Sequence, residues 1–313
     1  MGLVQASVSK PRQEQCVPCP DGYWPGNPGT FEEVHKKVKD MYPRNFEGAR
    51  LFVRKTLSDY FNAYHTISLS SFMPSGYKFG ACYKGAKHIG LYERYPLISG
   101  DIMPNGNLAA SFSHTLGCRF RVKHVTQIVK GKCLSSSSTA EYRSDDSTLS
   151  LIVADPDVQK HSGTFVLQYL QALTSRVTLG TEVAIHRSRY VPGGQQSLMT
   201  FAARYSSGAR TAAATFGQAG LHISYHHQAS QQLQLGVELE SNLRTLDSTA
   251  TLIYELNIPH ADMIFRGLVN TETTIGAVFE KKLYPMPETS LVLSGMLNHR
   301  KQQLRVGIGL NIG

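Results

Sequence analysis

Long apolar runs are missing from this chain of 313 residues. Its longest unbroken stretch of apolar side chains is the short run from Leu151 to Ala154, whereas a membrane-spanning helix needs about 20 such residues. The sequence therefore excludes a protein that crosses a membrane with helices. Apolar residues still make up 41% of the composition, so a wholly disordered chain is excluded too. One or two soluble domains, or one large β-barrel, remain.

Charge and cysteine are also scarce. Charged residues make up 18%, with 32 Lys and Arg against 23 Asp and Glu, for a net charge of +9. The basic residues are scattered, so we expect no nucleic-acid partner. The odd total of 5 cysteines does not suit a secreted disulfide framework and favours a reducing compartment. Cys16 and Cys19 form a lone CxxC, which is weak evidence for redox or metal chemistry beside the simpler interpretation of two ordinary cysteines.

Enzyme motifs are absent as well. The chain contains no HExxH, Walker A or GxSxG pattern, so the sequence predicts no enzyme, no cofactor and no metal site. A Ser/His outer-membrane lipase stays open as a remote alternative. His226 and His227 are adjacent, so on a strand they would face opposite sides and could not bind one metal ion. The first 20 residues lack both an apolar core and an Arg-rich amphipathic pattern, so we expect no cleaved leader.

The N-terminal part of the chain divides at about residue 30. Residues 1–29 are rich in proline and poor in apolar side chains, which predicts a mobile tail. Thr30 and Glu33 then form a capping box, and apolar residues at helical spacing predict a helix over Thr30–Tyr42 within a segment covering 30–48. A helix this short is marginal alone. It packs either on the edge of a domain or, in the sharper interpretation, inside a pore.

From residue 49 to residue 313 the apolar pattern changes to period two. Leu233, Leu235, Val237 and Leu239 alternate with small and polar residues, and Val177 to Ile185 does the same. This alternation is typical of half-buried strands. About 19 such runs fit, with about 14 residues for each strand and its turn, which leaves room for spanning strands of about 9–11 residues. The pattern favours an all-β fold in the form of one transmembrane antiparallel barrel. A soluble sandwich or propeller is the alternative.

Several segments resemble the family of central channel subunits of the translocase of the outer mitochondrial membrane, which are eukaryotic porins. The similarity covers roughly residues 25–313. It is carried by PGNPGTFEE at 25–33, NFEGA at 45–49, HTISLS at 65–70, EYR at 141–143, PDV at 156–158, GQAG at 217–220, QLQLGVE at 232–238, EKKL at 280–283 and LNHRK at 297–301.

The resemblance implies a barrel of 19 strands in the mitochondrial outer membrane, with parallel first and last strands and with the N-terminal helix inside the lumen. It also implies a channel through which unfolded precursor proteins enter mitochondria. The implied partners are those precursors, receptor subunits, small single-helix subunits, the lipid bilayer and a second barrel. A porin-like channel for anions or metabolites, and a soluble β-rich binding protein, are the alternative functions.

Four carboxylates are candidates for contact with positively charged presequences. By strand parity, Glu182, Glu238, Glu240 and Glu280 face inward. They are either a binding track or ordinary solvated carboxylates, paired for example with Arg121, Lys123 or Arg305. A bulge in any of these strands would reverse the parity.

The C-terminus resembles the sorting signal of mitochondrial β-barrels. Arg305, Gly307, Leu310 and Ile312 match its pattern of a polar residue, a glycine and two hydrophobic residues. A plain final strand explains the same residues, and both interpretations can hold because a strand can be recognised by pairing.

Two features depart from what the resemblance implies. Residues 1–48 carry no net charge, so the excess of +9 belongs to the barrel, although a pore for cationic presequences should be acidic. The four serines at 135–138 also stand where the family is more hydrophobic. The charge favours anion preference, and the two features together leave open a divergent copy with altered clients or a specialised paralogue.

Overall fold

The fold is a closed β-barrel, seen in a computed structural model that describes residues 26–71, 75–89, 93–157, 162–189, 191, 193–284, 286 and 288–313. Nineteen strands form one sheet in which each strand is hydrogen-bonded to its neighbours in the sequence. All these pairs are antiparallel, and β1 closes the ring by pairing with β19 in parallel, Gly48 opposite Gly307. The predicted barrel of about 19 strands is therefore confirmed.

The strands follow one another with short connections along the described chain. Their bounds are β1 Gly48–Thr56, β2 Phe61–Leu69, β3 Gly76–Ile89, β4 Glu93–Ile102, β5 Leu108–Leu116, β6 Phe120–Val129, β7 Lys132–Arg143, β8 Ser147–Asp157, β9 Ser162–Ala172, β10 Val177–Arg187, β11 Gln195–Ser207, β12 Arg210–Gly217, β13 Gly220–Gln228, β14 Leu233–Asn242, β15 Asp247–Ile258, β16 Met263–Asn270, β17 Thr274–Lys282, β18 Ser290–Asn298 and β19 Gln303–Ile312.

Alternation gives the barrel two chemically different faces. On β10, Thr178 and Gly180 face inward and are buried, whereas Leu179 faces outward and is exposed. Other strands repeat this pattern, with exposed Leu, Ile, Val, Phe and Tyr side chains on the outer face. Exposure of so many apolar side chains to water would be unfavourable, whereas contact with lipid is favourable. The outer face therefore suits a bilayer, and the polar side chains face the lumen.

Among the described residues, three pairs of strands carry register shifts, which are the features able to reverse strand parity. They lie between Lys84 and Lys87, between Gln127 and Ile128, and between Ala154 and Asp157. The pairings of β10, β14 and β17 are continuous. Parity therefore holds on the strands that carry the four candidate glutamates.

The unusual serine run forms part of β7 and bonds to its neighbour. Ser138 Oγ lies 2.9 Å from Nδ1 of His124 on β6, and Nε2 of that ring lies 2.7 Å from Thr126 Oγ1. Strand parity puts these three side chains on the outer face of the barrel, whereas Lys123 of β6 points to the inner face. Polar groups that would be costly against lipid therefore satisfy one another.

The predicted helix is present only in pieces. A 3-10 turn covers Phe31–Glu33 and a single α-helical turn, α1, covers Lys36–Lys39, so the prediction of a continuous helix over Thr30–Tyr42 was wrong. The break falls at His35, whose backbone is at φ −100° and ψ 10° and whose ring is bound to the barrel wall. Tertiary contact thus overrides weak local helix propensity.

In the described part of the chain, no helix is both long and apolar enough to cross a membrane. The predicted tail, residues 1–29, lies outside the described residues except for 26–29, and so do Cys16 and Cys19. The division of the chain into a tail, a segment at 30–48 and a barrel at 49–313 stays a prediction.

Candidate functional site: the lumen and the segment docked in it

Residues 26–47, here called the lumenal segment, lie against the inner wall of the barrel. At the start of the segment, the side-chain amide of Asn27 donates a hydrogen bond of 2.7 Å to the carbonyl oxygen of Ser144. Arg204 of β11 donates one of 2.6 Å to the carbonyl oxygen of Pro28. The first bond holds a side chain of the segment and the second holds its backbone, so together they fix the path of the chain at this end.

Apolar contacts hold the middle of the lumenal segment. Two clusters form between the segment and the inner wall: one contains Val34, Leu170, Ala202 and Ala213 with Phe31 packed on it, and the other contains Val38, Met41 and Ile253 with Tyr42 and Leu268 packed on it. Full burial of such side chains is worth about 1.5–3 kcal/mol each. The apolar positions at helical spacing thus supply the docking face.

A polar group lies between these clusters and the wall. Tyr42 Oη donates a hydrogen bond to the Glu238 carboxylate, and His222 Nε2 bonds to the other oxygen of that carboxylate. The His35 ring stacks on His222 with 3.8 Å between centroids, and its Nδ1 lies 2.7 Å from Ser224 Oγ. Glu238 is only 3% exposed, so these bonds are what make its burial tolerable.

The docked position also changes how His35 titrates. Burial, together with the neighbouring His222, lowers the pKa of His35 to about 4. The imidazole is therefore neutral in the docked segment at neutral pH. Its Nδ1 can therefore form a hydrogen bond with the Ser224 hydroxyl without placing a charge in the buried site.

The lumenal segment ends against the strands that close the barrel. The Phe46 backbone N–H donates a hydrogen bond of 3.0 Å to Ser294 Oγ of β18. A Cβ atom added to Gly307 would stand 2.5 Å from the carbonyl oxygen of Phe46, and one added to Gly309 would stand 2.9 Å from the Phe46 ring. Glycine is required here because the segment approaches the backbone of β19 too closely for a side chain.

All four predicted glutamates lie on the inner face. Glu182 accepts a hydrogen bond of 2.7 Å from Gln168, and Glu280 accepts one of 3.2 Å from Ser290. Glu238 is bound to the lumenal segment, whereas the Glu240 side chain is 67% exposed to the lumen. The structure brings Glu238 and Glu240 together around His222 and leaves Glu182 and Glu280 on separate strands.

The predicted sorting residues all lie on β19. Arg305 and Gly307 face inward, whereas Leu310 and Ile312 face outward and stand opposite Leu51 and Val53 of β1. The geometry is that of a closing strand. A role in sorting stays a prediction.

Sequence reasoning named Lys123 but missed the group of cations to which this residue belongs. Arg54, Lys84 and Lys123 line one cavity of about 780 Å³ on the β1–β6 side. Strand parity could have found them, since Arg54 lies two residues from inward Phe52 and Lys123 was already placed on the polar face of β6. The contact of Tyr42 with Glu238 has no such signal, because nothing local in sequence relates the two residues.

One cluster has the composition of a metal site. His222, Glu238 and Glu240 each offer one ligand atom, and these atoms lie within 4.8 Å of one another. Glu238 is already satisfied by Tyr42 and His222. The arrangement is thus explained as a hydrogen-bonded anchor for the lumenal segment.

Comparison with known proteins agrees with this architecture. The family model described as eukaryotic porin matches residues 27–307, which is nearly the whole barrel together with the lumenal segment. The chain belongs to the eukaryotic porin family. Porins are channels, so membership argues against the lipase and the soluble binding protein.

Within this family the chain is similar to proteins named mitochondrial import receptor subunit TOM40 homolog. It is 44% identical to TOM40 homolog 2 of Drosophila melanogaster over 92% of this chain and 84% of the relative. It is 40% identical to the Xenopus laevis homolog over 100% and 89%, and 41% identical to the human homolog over 92% and 78%. Full-length similarity at this level places this eukaryotic porin in the TOM40 group.

Proposed function

We propose that this chain is the protein-conducting channel of the mitochondrial outer membrane, through which unfolded precursor proteins pass from the cytosol. The observation that carries the proposal is a closed barrel of 19 strands with a polar inner face. The lumenal segment occupies only part of the interior and leaves a cavity open. The full-length similarity to import receptor subunits supports it. The channel needs no catalytic group, because the chain that passes is not chemically changed.

Transport of an unfolded chain requires many weak contacts rather than one strong site. A passing segment must bind well enough to enter and weakly enough to leave. Solvated lumenal charges meet this need, because exposed ion pairs contribute only about 0.2–1 kcal/mol each. Glu240, which is largely exposed, and Glu280 are the glutamates best placed to meet a cationic presequence. Glu182 and Glu238 are partly engaged by Gln168 and Tyr42.

The outer face suits assembly with partners inside the bilayer. We include among the partners receptor subunits, small single-helix subunits and a second copy of the barrel. The exposed aliphatic and aromatic side chains of the outer face support this, because they offer a surface on which lipid tails or apolar helices pack.

Planar-bilayer recording of the purified chain tests the proposal. A cationic presequence peptide should block the current, and the variant E182Q/E238Q/E240Q/E280Q should need a higher peptide concentration for the same block. Because Glu238 anchors the lumenal segment, E240Q/E280Q alone is the cleaner variant. E272Q/E288Q, which changes two exposed carboxylates elsewhere, is the matched control. Unchanged block in E240Q/E280Q and in the quadruple variant would remove the glutamates from the mechanism.

An anion or metabolite channel is the second candidate. The net charge of +9 and the basic wall favour it. Anion preference without block by the presequence peptide would support this candidate and contradict the protein channel.

A further inference from the structure

The lumenal segment divides the interior of the barrel into an occupied half and an open half. The contacts of the segment run from Ser144, at the β7–β8 turn, round to Gly307 of β19. The cavity of about 780 Å³ lies on the other side, against strands β1 to β6. A chain that crosses the lumen while the segment stays docked therefore moves along that wall.

The open wall is mainly basic, although Asp59 also lines the cavity and Arg121 lies 3.8 Å from the Glu141 carboxylate. Among the residues that the structure describes, Arg54, Lys84 and Lys123 line the cavity without a side-chain hydrogen bond or ion pair. Arg94 also lines it and donates a hydrogen bond of 3.2 Å to the carbonyl oxygen of Asp59. Arg121 stands 5.3 Å from the centroid of the Tyr95 ring.

The register of the strands sets the spacing of these cations. Lys84 of β3 stands opposite Leu97 of β4, Leu97 stands opposite Ser113 of β5, and Ser113 stands opposite Lys123 of β6. Three steps of about 4.8 Å separate the two lysines, so their backbones are roughly 14 Å apart across the sheet. The row offers two separated cations with neutral, partly polar wall between them.

We propose that this basic wall, defined by Arg54, Lys84 and Lys123, binds acidic segments of the polypeptides that pass through the channel. The inference rests on the proposed function and extends it. The wall lies on β1, β3 and β6, whereas Glu182, Glu238 and Glu240 lie on β10 and β14, and Glu280 on β17 is three strands from β1. Acidic and basic stretches of one unfolded chain can therefore each meet a complementary surface. The excess positive charge of the barrel thus helps transport, because it attracts the acidic segments of the passing chain. Long, solvated lysine and arginine side chains give weak contacts that salt screens, which suits a moving chain.

The test is planar-bilayer recording of the full chain with an acidic peptide of alternating Glu and Ser residues. Wild-type channel should be blocked by this peptide. In the variant R54Q/K84Q/K123Q the concentration for half block should rise about tenfold, as expected for the loss of three exposed pairs. The variant R187Q/R210Q/R244Q removes the same number of charges from exposed positions away from the cavity and should leave the block unchanged. The variant R54K/K84R/K123R should also keep it.

Three results would overturn the proposal: equal acidic-peptide block in wild type and R54Q/K84Q/K123Q, equal loss in the control variant, or block by ATP as strong as that by the acidic peptide. The last would assign the cavity to small anions. The cationic presequence peptide separates this proposal from the function on which it rests. If the presequence peptide never blocks, the proposed function fails. If it blocks wild type and R54Q/K84Q/K123Q equally while the acidic peptide does not distinguish them, only the basic wall fails.

Discussion

The phenol of Tyr42 donates a hydrogen bond to the buried carboxylate of Glu238, and this bond ties the lumenal segment to β14. The two residues are far apart in the chain and meet only because the segment lies inside the barrel. His222 holds the other oxygen of the same carboxylate. The contact therefore reports directly on whether the segment is docked.

The Tyr42→Phe variant should weaken docking. It removes the hydroxyl and leaves a buried carboxylate with one partner fewer, which costs about 1–3 kcal/mol for a hydrogen bond to a charged group. Amide hydrogen exchange over residues 30–46 should become roughly tenfold faster or more in the variant. Tyr205→Phe, at an exposed position on β11, is the matched control and should exchange like wild type. Equal exchange in all three proteins would show that the bond does not hold the segment.

Docking should also weaken as the pH falls. The pKa of His35 is lowered from 6.5 to about 4 when the segment is docked, so the undocked ring takes up a proton first. The contribution of the neutral His35 ring to docking should be fully present above about pH 6.5 and should fall progressively toward pH 4. The groups that face His35 are His222 and, by charge, Lys39 and Glu238.

Protease protection of the lumenal segment between pH 7.5 and pH 5 measures this effect. Wild type should lose protection over that range, and His35→Leu should lose less, because its side chain cannot take up a proton. His260→Leu, at an exposed position outside the lumen, should behave as wild type. A pH response of unchanged size in His35→Leu would assign the effect to another group, such as His222.

The Gly307→Ala variant should strain the contact between β19 and the end of the lumenal segment. The added methyl group would stand 2.5 Å from the Phe46 carbonyl oxygen, and such overpacking costs typically about 1–3 kcal/mol. We expect the purified barrel to unfold at a lower temperature. Gly295→Ala adds a methyl group with no heavy atom within 4 Å and serves as the control. Equal melting temperatures for the two variants would show that the lumenal segment moves away from the added methyl group with no loss of stability.

Strand parity is the part of this structure that the sequence predicts best. On β10 and β14, aliphatic residues alternate with small and polar ones. Because successive side chains on a strand point to opposite faces, an outward aliphatic residue places its neighbour inward, which is enough to place Glu182, Glu238 and Glu240 on the inner face. The strand total follows from counting the alternating runs, and the resemblance to the family implies the same number. The contacts between the lumenal segment and the wall cannot be predicted from the sequence. Whether Tyr42 meets Glu238 depends on how deep in the barrel the lumenal segment lies.

The helix over Thr30–Tyr42 was overpredicted for a related reason. Apolar spacing at Val34, Val38 and Met41 correctly identified the face that packs on the wall. It could not show that His35 bonds to Ser224 and interrupts the helix. Local propensity is a weak guide where the segment is enclosed on one side by a fixed surface.

Parallel pairing of β1 with β19 has a consequence for biogenesis. The strands that complete the ring, Gly48–Thr56 and Gln303–Ile312, stand at opposite ends of the chain. Contacts between residues this distant in sequence form slowly, because the intervening chain must first be brought together. The ring therefore cannot close until the last strand is present, and any sheet that forms earlier has two unpaired edges. That interval is when it is most exposed to aggregation and most in need of a helper to shield those edges.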